Sequence, residues 1–203
     1  AGADAILLTG DMVDGYVHQL EAVHGLLGKL KAKDGVFFIT GNHEYFWNAQ
    51  EWLSAYPRLG IQPLLNEHRV ISRGSAQIVL GGIPDLAAPR FIAAHTADLA
   101  ATFAGAPAGA TRILLAHQPS RITLNQAVEN GVALQLSGHT HAGQFFPFAF
   151  FARLVLPYFK GRYTHTTPLG STELYVNRGT GYWGPPLRLG VSPEITRIVL
   201  RRA

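Results

Sequence analysis

Ala5-Ile6-Leu7-Leu8-Thr9-Gly10-Asp11 and, further on, Val36-Phe37-Phe38-Ile39-Thr40-Gly41-Asn42-His43-Glu44 decide the fold. Between them lies a segment, residues 17–31, in which Leu20, Val23, Leu26, Leu27 and Leu30 recur at helix spacing. Two short apolar runs joined by such a segment read as strand, helix, strand, with the length a right-handed crossover between parallel strands needs. Parallel strands of one sheet end on the same edge, so Asp11 and the Asn42-His43 pair are expected at one crevice.

The same rhythm returns later. Residues 112–116 read as a strand ending at His117, residues 120–129 as a helix, and residues 132–136 as a strand running into Gly138-His139-Thr140-His141. Between the two blocks, a helix is expected over residues 47–56, stopping before Pro57. Three short segments, 62–65, 68–72 and 77–80, are punctuated by Gly74 and Gly81-Gly82 and read as strands of a second sheet or meander. Residues 173–177 and 195–200 are the last strand candidates, and 145–159, dense in Phe, Leu and Pro, reads as an irregular apolar loop. The sum is a single α/β domain over residues 1–203, a two-sheet β-sandwich flanked by helices.

Four strand tips thus carry Asp, Asn and His, which are nitrogen and oxygen donors suited to a metal. Taken singly, each has a plainer explanation. Asp11 or Asp14 can cap the following helix, and Asn42-His43 can be a turn. His139 and His141, one residue apart on an extended segment, would point the same way. It is their joint position at strand ends that favours a metal site. His18 and His24 do not share a helix face and read as surface residues; His68, His95 and His165 have no ligand company.

Composition narrows the classes. The 203 residues suffice for one full core, and 47% hydrophobic with 15% charged residues describes a globular chain. The formal net charge of +4 could favour phosphates or acidic lipid surfaces. No Lys/Arg-dense face with interleaved aromatics occurs, so nucleic acid is not expected as a partner. There are no cysteines, which leaves N and O ligands for any metal. A Gly-x-Ser-x-Gly elbow and a Gly-rich Lys-Ser/Thr phosphate loop are both absent from the sequence. No run of about 20 apolar residues is present to span a bilayer.

In order along the chain, Gly10-Asp11 with Asp14, Gly41-Asn42-His43-Glu44, His117 and Gly138-His139-Thr140-His141 resemble the calcineurin-like metallophosphoesterases. The segments 174–179 and 181–184, with Gly143-Gln144, resemble a bacterial YkuE/YaeI-like subgroup of membrane-linked phosphodiesterases, although Ala142 stands where Gly is commoner. The resemblance implies hydrolysis of a phosphodiester or phosphomonoester by metal-bound hydroxide at a dinuclear site. Asp11 would bridge two divalent cations, Mn, Fe or Zn. Asn42, His117 and His139 would complete one shell, and His141 would serve the other. His43 would be catalytic, binding the phosphate and protonating the leaving oxygen, and Asp14 would orient its neighbours.

Family members carry an Asp-x-His pair upstream of the Gly-Asp motif, and none precedes Asp11 here. The expectation is therefore an N-terminally truncated domain lacking its first strand, with one cation incompletely ligated. The expected substrate is a phosphate ester, with lipid-related phosphodiesters first, and residues 145–162 are expected to touch a membrane surface. Location is expected to be the bacterial cytoplasm or its membrane, with any anchor upstream of Ala1. The competing expectation is a non-catalytic module binding one cation or a phosphate.

Overall fold

The structure, a computed structural model, describes residues 2–201. One sheet holds three parallel strands in the order β1 (Ala5–Leu8), β2 (Gly35–Phe38) and β3 (Ile61–Pro63). Helix α1 (Val17–Leu27) forms the crossover from β1 to β2, while α2 (Asn42–Phe46) and α3 (Ala49–Ala55) lead from β2 to β3. The second sheet is made of β4 (Glu67–Arg73), β5 (Ala76–Gly82), β6 (Thr111–Leu115), β7 (Val132–Ser137), β8 (Gly161–Thr167) and β9 (Gly170–Val176). Its order is β4-β5-β6-β7-β9-β8. The strands β5, β6, β7 and β9 are parallel, with an antiparallel strand at each edge. Helices α4 (Leu99–Phe103) and α5 (Arg121–Glu129) precede β6 and β7, and α6 (Phe148–Val155) precedes β8.

The parallel strands are legible because they are covered on both faces and so need apolar side chains throughout. Phe37, Ile39 and Leu64 of the first sheet meet Leu80, Ile113, Leu115 and Leu136 of the second. Outside the first sheet, Val36 and Phe38 pack under Trp52, Tyr56 and Ile61. Outside the second, Val79, Leu114 and Val132 lie under Leu99, Phe103 and Ala127. Where the sheets come closest, Gly82 has no room for a side chain. A Cβ there would sit 2.5 Å from Leu64 Cβ and 2.7 Å from Ile39 Cγ2.

Several expectations are corrected. The segment at 62–65 joins the first sheet, parallel to β2, and only β4 and β5 form the expected second-sheet pair. The inward stripe of α1 runs through Leu20, His24 and Leu27, leaving Val23 and Leu26 exposed. His24 is therefore buried, with its ring 4.1 Å from the Trp52 ring, and is no surface residue. Within 145–159 lies a helix, α6, which docks through Ala149 and Ala152.

Residues 195–200 join no ladder, and Ile195 is 91% exposed. Alternation gives a strand a face, not a neighbour. The side chains of Glu194 and Thr196 instead bond Tyr175, Arg178 and Asn177. No helix among the described residues is long and apolar enough to cross a membrane.

Gly82→Ala is expected to destabilise the fold by about 1–3 kcal/mol through overpacking between the sheets. Urea denaturation followed by tryptophan fluorescence would measure it, and an unchanged midpoint would contradict this account of sheet contact.

Candidate metal centre

The first sheet brings Asp11 and the Asn42-His43 pair to one edge, and the second brings His117 and His139 to the same edge. Gly10, with φ of 90°, and Gly41 make the first pairing possible. A Cβ on Gly10 would lie 2.5 Å from the Gly41 backbone nitrogen, and one on Gly41 2.6 Å from that of Asp11, so the two loops touch backbone to backbone. Asp11 itself has φ of 54°, a conformation that costs energy outside glycine and is held by its surroundings.

Glu44 supplies much of that hold. Its carboxylate is fully buried and accepts from the backbone N–H groups of Asp11 at 3.0 Å, Met12 at 2.7 Å and Gly41 at 2.6 Å. Burial, and then the neighbouring Asp11 charge, push its pKa up to about 7 against the Met12 and Gly41 N–H groups and the His117 charge. Sequence reading gave Glu44 no role. The available signal was its place three residues after Gly41, the spacing at which a Glu reaches back to the first N–H of a helix.

Asp11 Oδ1 accepts the backbone N–H of His43 at 2.9 Å, and Oδ2 lies 2.9 Å from His117 Nε2. On the far side of the imidazole, His117 Nδ1 sits 2.7 Å from the Thr9 carbonyl oxygen, which can only accept. Nδ1 therefore carries a hydrogen, and Nε2 faces both Asp11 Oδ2 and, at 3.2 Å, His139 Nδ1. His117 Nε2 and Asp11 Oδ2 are then two acceptors 2.9 Å apart, so either His117 carries a second proton or a cation takes its place.

Asp11, His117 and His139 are the group whose donor atoms all lie within 4.8 Å of one another. Asn42 Oδ1 is buried without a hydrogen-bond partner, a neutral oxygen free to ligate. This donor set of one carboxylate, two imidazoles and an amide oxygen fits Mn, Fe or Zn.

Electrostatics agree with that fit. Burial opposes the Asp11 charge, yet His117 and the His43 N–H outweigh it and hold Asp11 well below the usual carboxylate range. Burial opposes protonation of His117, but Asp11 overrides it and lifts His117 to about 9. Burial and the adjacent His117 push His139 down to about 4. Burial, then the Arg188 guanidinium, do the same to His141. Both are neutral near pH 7, as ligands must be.

The two histidines of the last motif do not run along one extended segment. Strand β7 ends at Ser137, and His139 and His141 take φ of 68° and 49°, so the chain coils between them. His139 joins the group, while His141 stands outside it beside Arg188. Asp14 lies 3.3 Å from His43 Nδ1 and accepts the Trp47 indole N–H at 3.0 Å, so its contact is with His43. Asp85, missed in the sequence, is a further buried residue beyond the end of β5 and accepts the Gln118 amide on both oxygens at 3.0 Å. Nothing in its local pattern distinguishes it from a turn residue.

A two-sheet sandwich with carboxylate, amide and imidazole donors gathered at the strand ends defines a metallophosphoesterase-type protein. The calcineurin-like phosphoesterase family model matches residues 1–143, and the chain belongs to that family of metal-dependent phosphoesterases. A zebrafish transmembrane protein with a metallophosphoesterase domain is 37% identical over 98% of this chain and 46% of its own length. An uncharacterized Helicobacter pylori metallophosphoesterase is 35% identical over 97% of this chain and 51% of its own. Bacillus subtilis YkuE is 32% identical over 98% of this chain and 68% of its own.

Relatives thus occur in animals as well as bacteria, and the chain spans about half the length of the zebrafish and Helicobacter proteins. Among solved structures, Haemophilus influenzae NAD nucleotidase aligns with a TM-score of 0.52 and 15% identity, over 85% of this chain and 40% of that one. Thermus thermophilus sulfate thiohydrolase SoxB aligns with 0.55 and 16%, over 85% and 33%. At that identity the likeness is one of fold.

Two outcomes are expected. Because His117 holds its proton up to about pH 9, cation uptake at pH 7 should release about one proton per ion, fading towards none above pH 9. Calorimetric titration with Mn or Zn in buffers of different ionisation enthalpy measures this. Release that is absent at pH 7 would contradict the His117 assignment. Glu44→Gln should lower stability by about 1–3 kcal/mol and weaken metal affinity by about 10–100-fold, read by denaturation and by metal competition with a chelator.

Proposed function

We propose that this chain carries a phosphoesterase centre acting on phosphodiesters or phosphomonoesters, with Asp11 as the shared carboxylate ligand and Asn42, His117 and His139 completing one cation's shell. His141 is assigned to a second cation. The observation that carries the reading is the meeting of Asp11 Oδ2, His117 Nε2 and His139 Nδ1, supported by the buried Asn42 Oδ1 that has no hydrogen-bond partner. Bound cations would supply Lewis-acid charge for the phosphoryl oxygens and lower the pKa of a water.

The remaining work falls to this chain. The Thr9 carbonyl fixes the His117 tautomer, Glu44 holds the Asp11 loop, and the two sheets exclude water from beneath the donors. Asp14 occupies His43 Nδ1 and leaves Nε2 to face the substrate, where it can give a proton to the leaving oxygen only when both ring nitrogens carry hydrogens.

Lipid-related esters are the substrate class favoured by the surface beside the site. Helix α6 seats Ala149 and Ala152 against the His141–Gly143 turn and turns the rest outward. Phe150 and Phe151 are each 58% exposed, Leu154 70% and Val155 77%. No carboxylate occurs between Glu129 and Glu173, whereas Arg153 and Lys160 are exposed in that span. An apolar helix flanked by cations suits an anionic lipid interface.

A second reading is a module that binds one cation and turns nothing over. It is favoured by the position of His141 outside the donor group.

His139→Ala should remove bound metal and hydrolysis of bis(p-nitrophenyl) phosphate together, and retention of both would remove the assignment. One tightly bound cation in the wild type without turnover would support the module instead. Phe150→Ser with Leu154→Ser should weaken sedimentation with phosphatidylglycerol vesicles by more than about tenfold, since each buried side chain contributes about 1.5–3 kcal/mol. Equal binding by wild type and variant would count against the lipid surface.

A further inference from the structure

The segment after β9 returns to the candidate centre and places a guanidinium there. Arg188 Nε donates to the Gly181 carbonyl at 2.6 Å, and Nη2 donates to the Arg178 carbonyl at 2.8 Å while lying 3.2 Å from His141 Nδ1. The group is thus fixed in position from two sides. Its charge is not balanced in the same way. Neighbouring Arg178 is paired with Glu194 at 2.6 Å, whereas Arg188 has no carboxylate within ion-pair distance among the described residues.

Arg188 Nη1 is moreover buried and without any hydrogen-bond partner. A buried charged donor left unpaired is costly, and proteins rarely keep one without a use. Its neighbourhood lacks compensating acid: the next guanidinium is already paired, and the adjacent ring is His141, one of the proposed ligands.

We propose that Arg188 is an anion-binding residue of the centre, which takes a non-bridging phosphoryl oxygen of the substrate through its unpaired Nη1. Planar guanidinium and phosphate match in geometry as well as charge, and an Arg held by backbone carbonyls loses little freedom on binding. The two carbonyl contacts orient the fork, and His141 marks where the anion must approach. This extends the phosphoesterase reading, since it names the group that meets the phosphate. It also places part of the site outside residues 1–143, the span shared with the family model.

The test uses the full chain, metal-loaded, with inorganic phosphate as the probe in calorimetric titration and bis(p-nitrophenyl) phosphate as substrate. Arg188→Gln should bind phosphate about tenfold or more weakly, as expected for loss of a charge-assisted hydrogen bond. Bound metal should be unchanged, and KM should rise more than kcat falls. Arg188→Lys should recover part of the phosphate affinity, and it serves as the test if the Gln variant does not fold. Phosphate affinity within twofold of wild type in Arg188→Gln would overturn the proposal, as would a wild type that binds no phosphate. Loss of metal in the variant would also overturn it, making Arg188 a support for His141. Phosphate binding lost through Arg188→Gln in a protein that hydrolyses nothing would sustain the proposal while removing the phosphoesterase reading.

Discussion

One carboxylate fixes the geometry on which the centre depends. Glu44 takes three backbone N–H groups from two loops that belong to different strands, Asp11 and Met12 after β1 and Gly41 after β2. Backbone donors cannot be removed by a rotamer change, so the register between the loops is locked as firmly as a sheet ladder would lock it. With that register set, Asp11 is held in a left-handed conformation and its two oxygens are committed, one to the His43 N–H and one to His117 Nε2. The raised pKa of Glu44 records first its burial and then the repulsion from Asp11 beside it. A cation on Asp11 would relieve the second of these.

The second constraint runs between sheets. Asp11 and Asn42 come from the three-stranded sheet, His117 and His139 from the six-stranded one, and no backbone ladder joins the two. What joins them at the site is the His117 ring, with Nδ1 on the Thr9 carbonyl and Nε2 towards Asp11. Beneath it, Gly82 lets Leu64 and Ile39 close against β5. Donor spacing therefore depends on core packing some distance from any donor.

Much of this was legible in the sequence, for physical reasons that differ by residue. Strands β1, β2, β6 and β7 could be read because two-sided burial demands continuous apolar runs, and their polar ends then stood out. Helix α6 could not, since Pro147 and Pro157 bracket a segment apolar on nearly every side, and helix periodicity needs a polar face to be seen. Strand β8, Gly161–Thr167, is an edge strand of alternating exposure whose polar, β-branched residues gave no apolar run. His24 was misread because spacing to His18 says nothing about which face of α1 points inward. Among the site residues, Asp11, His117 and His139 came together as the motif order implied. The separate place of His141 depends on two left-handed residues that no spacing argument encodes.

The turn at residues 139–144 is where the two halves of the centre's character meet. Upstream, the donors are those the family model covers, and their chemistry is generic to phosphate esters. Downstream, two elements close on the turn. Gly143, with φ of 72°, lets α6 approach so tightly that a Cβ would lie 2.3 Å from Ala149 Cα. The buried Gln144 accepts the Trp183 N–H at 2.8 Å and donates to the Trp183 and Pro185 carbonyls, anchoring the tail that carries Arg188. An apolar helix and a basic tail are thus fastened to the same few residues that present His139 and His141. On the proposed function, selection of an ester by its apolar part and recognition of its charged part would both pass through that turn, and Gln144, which anchors it to the tail, would bear on both.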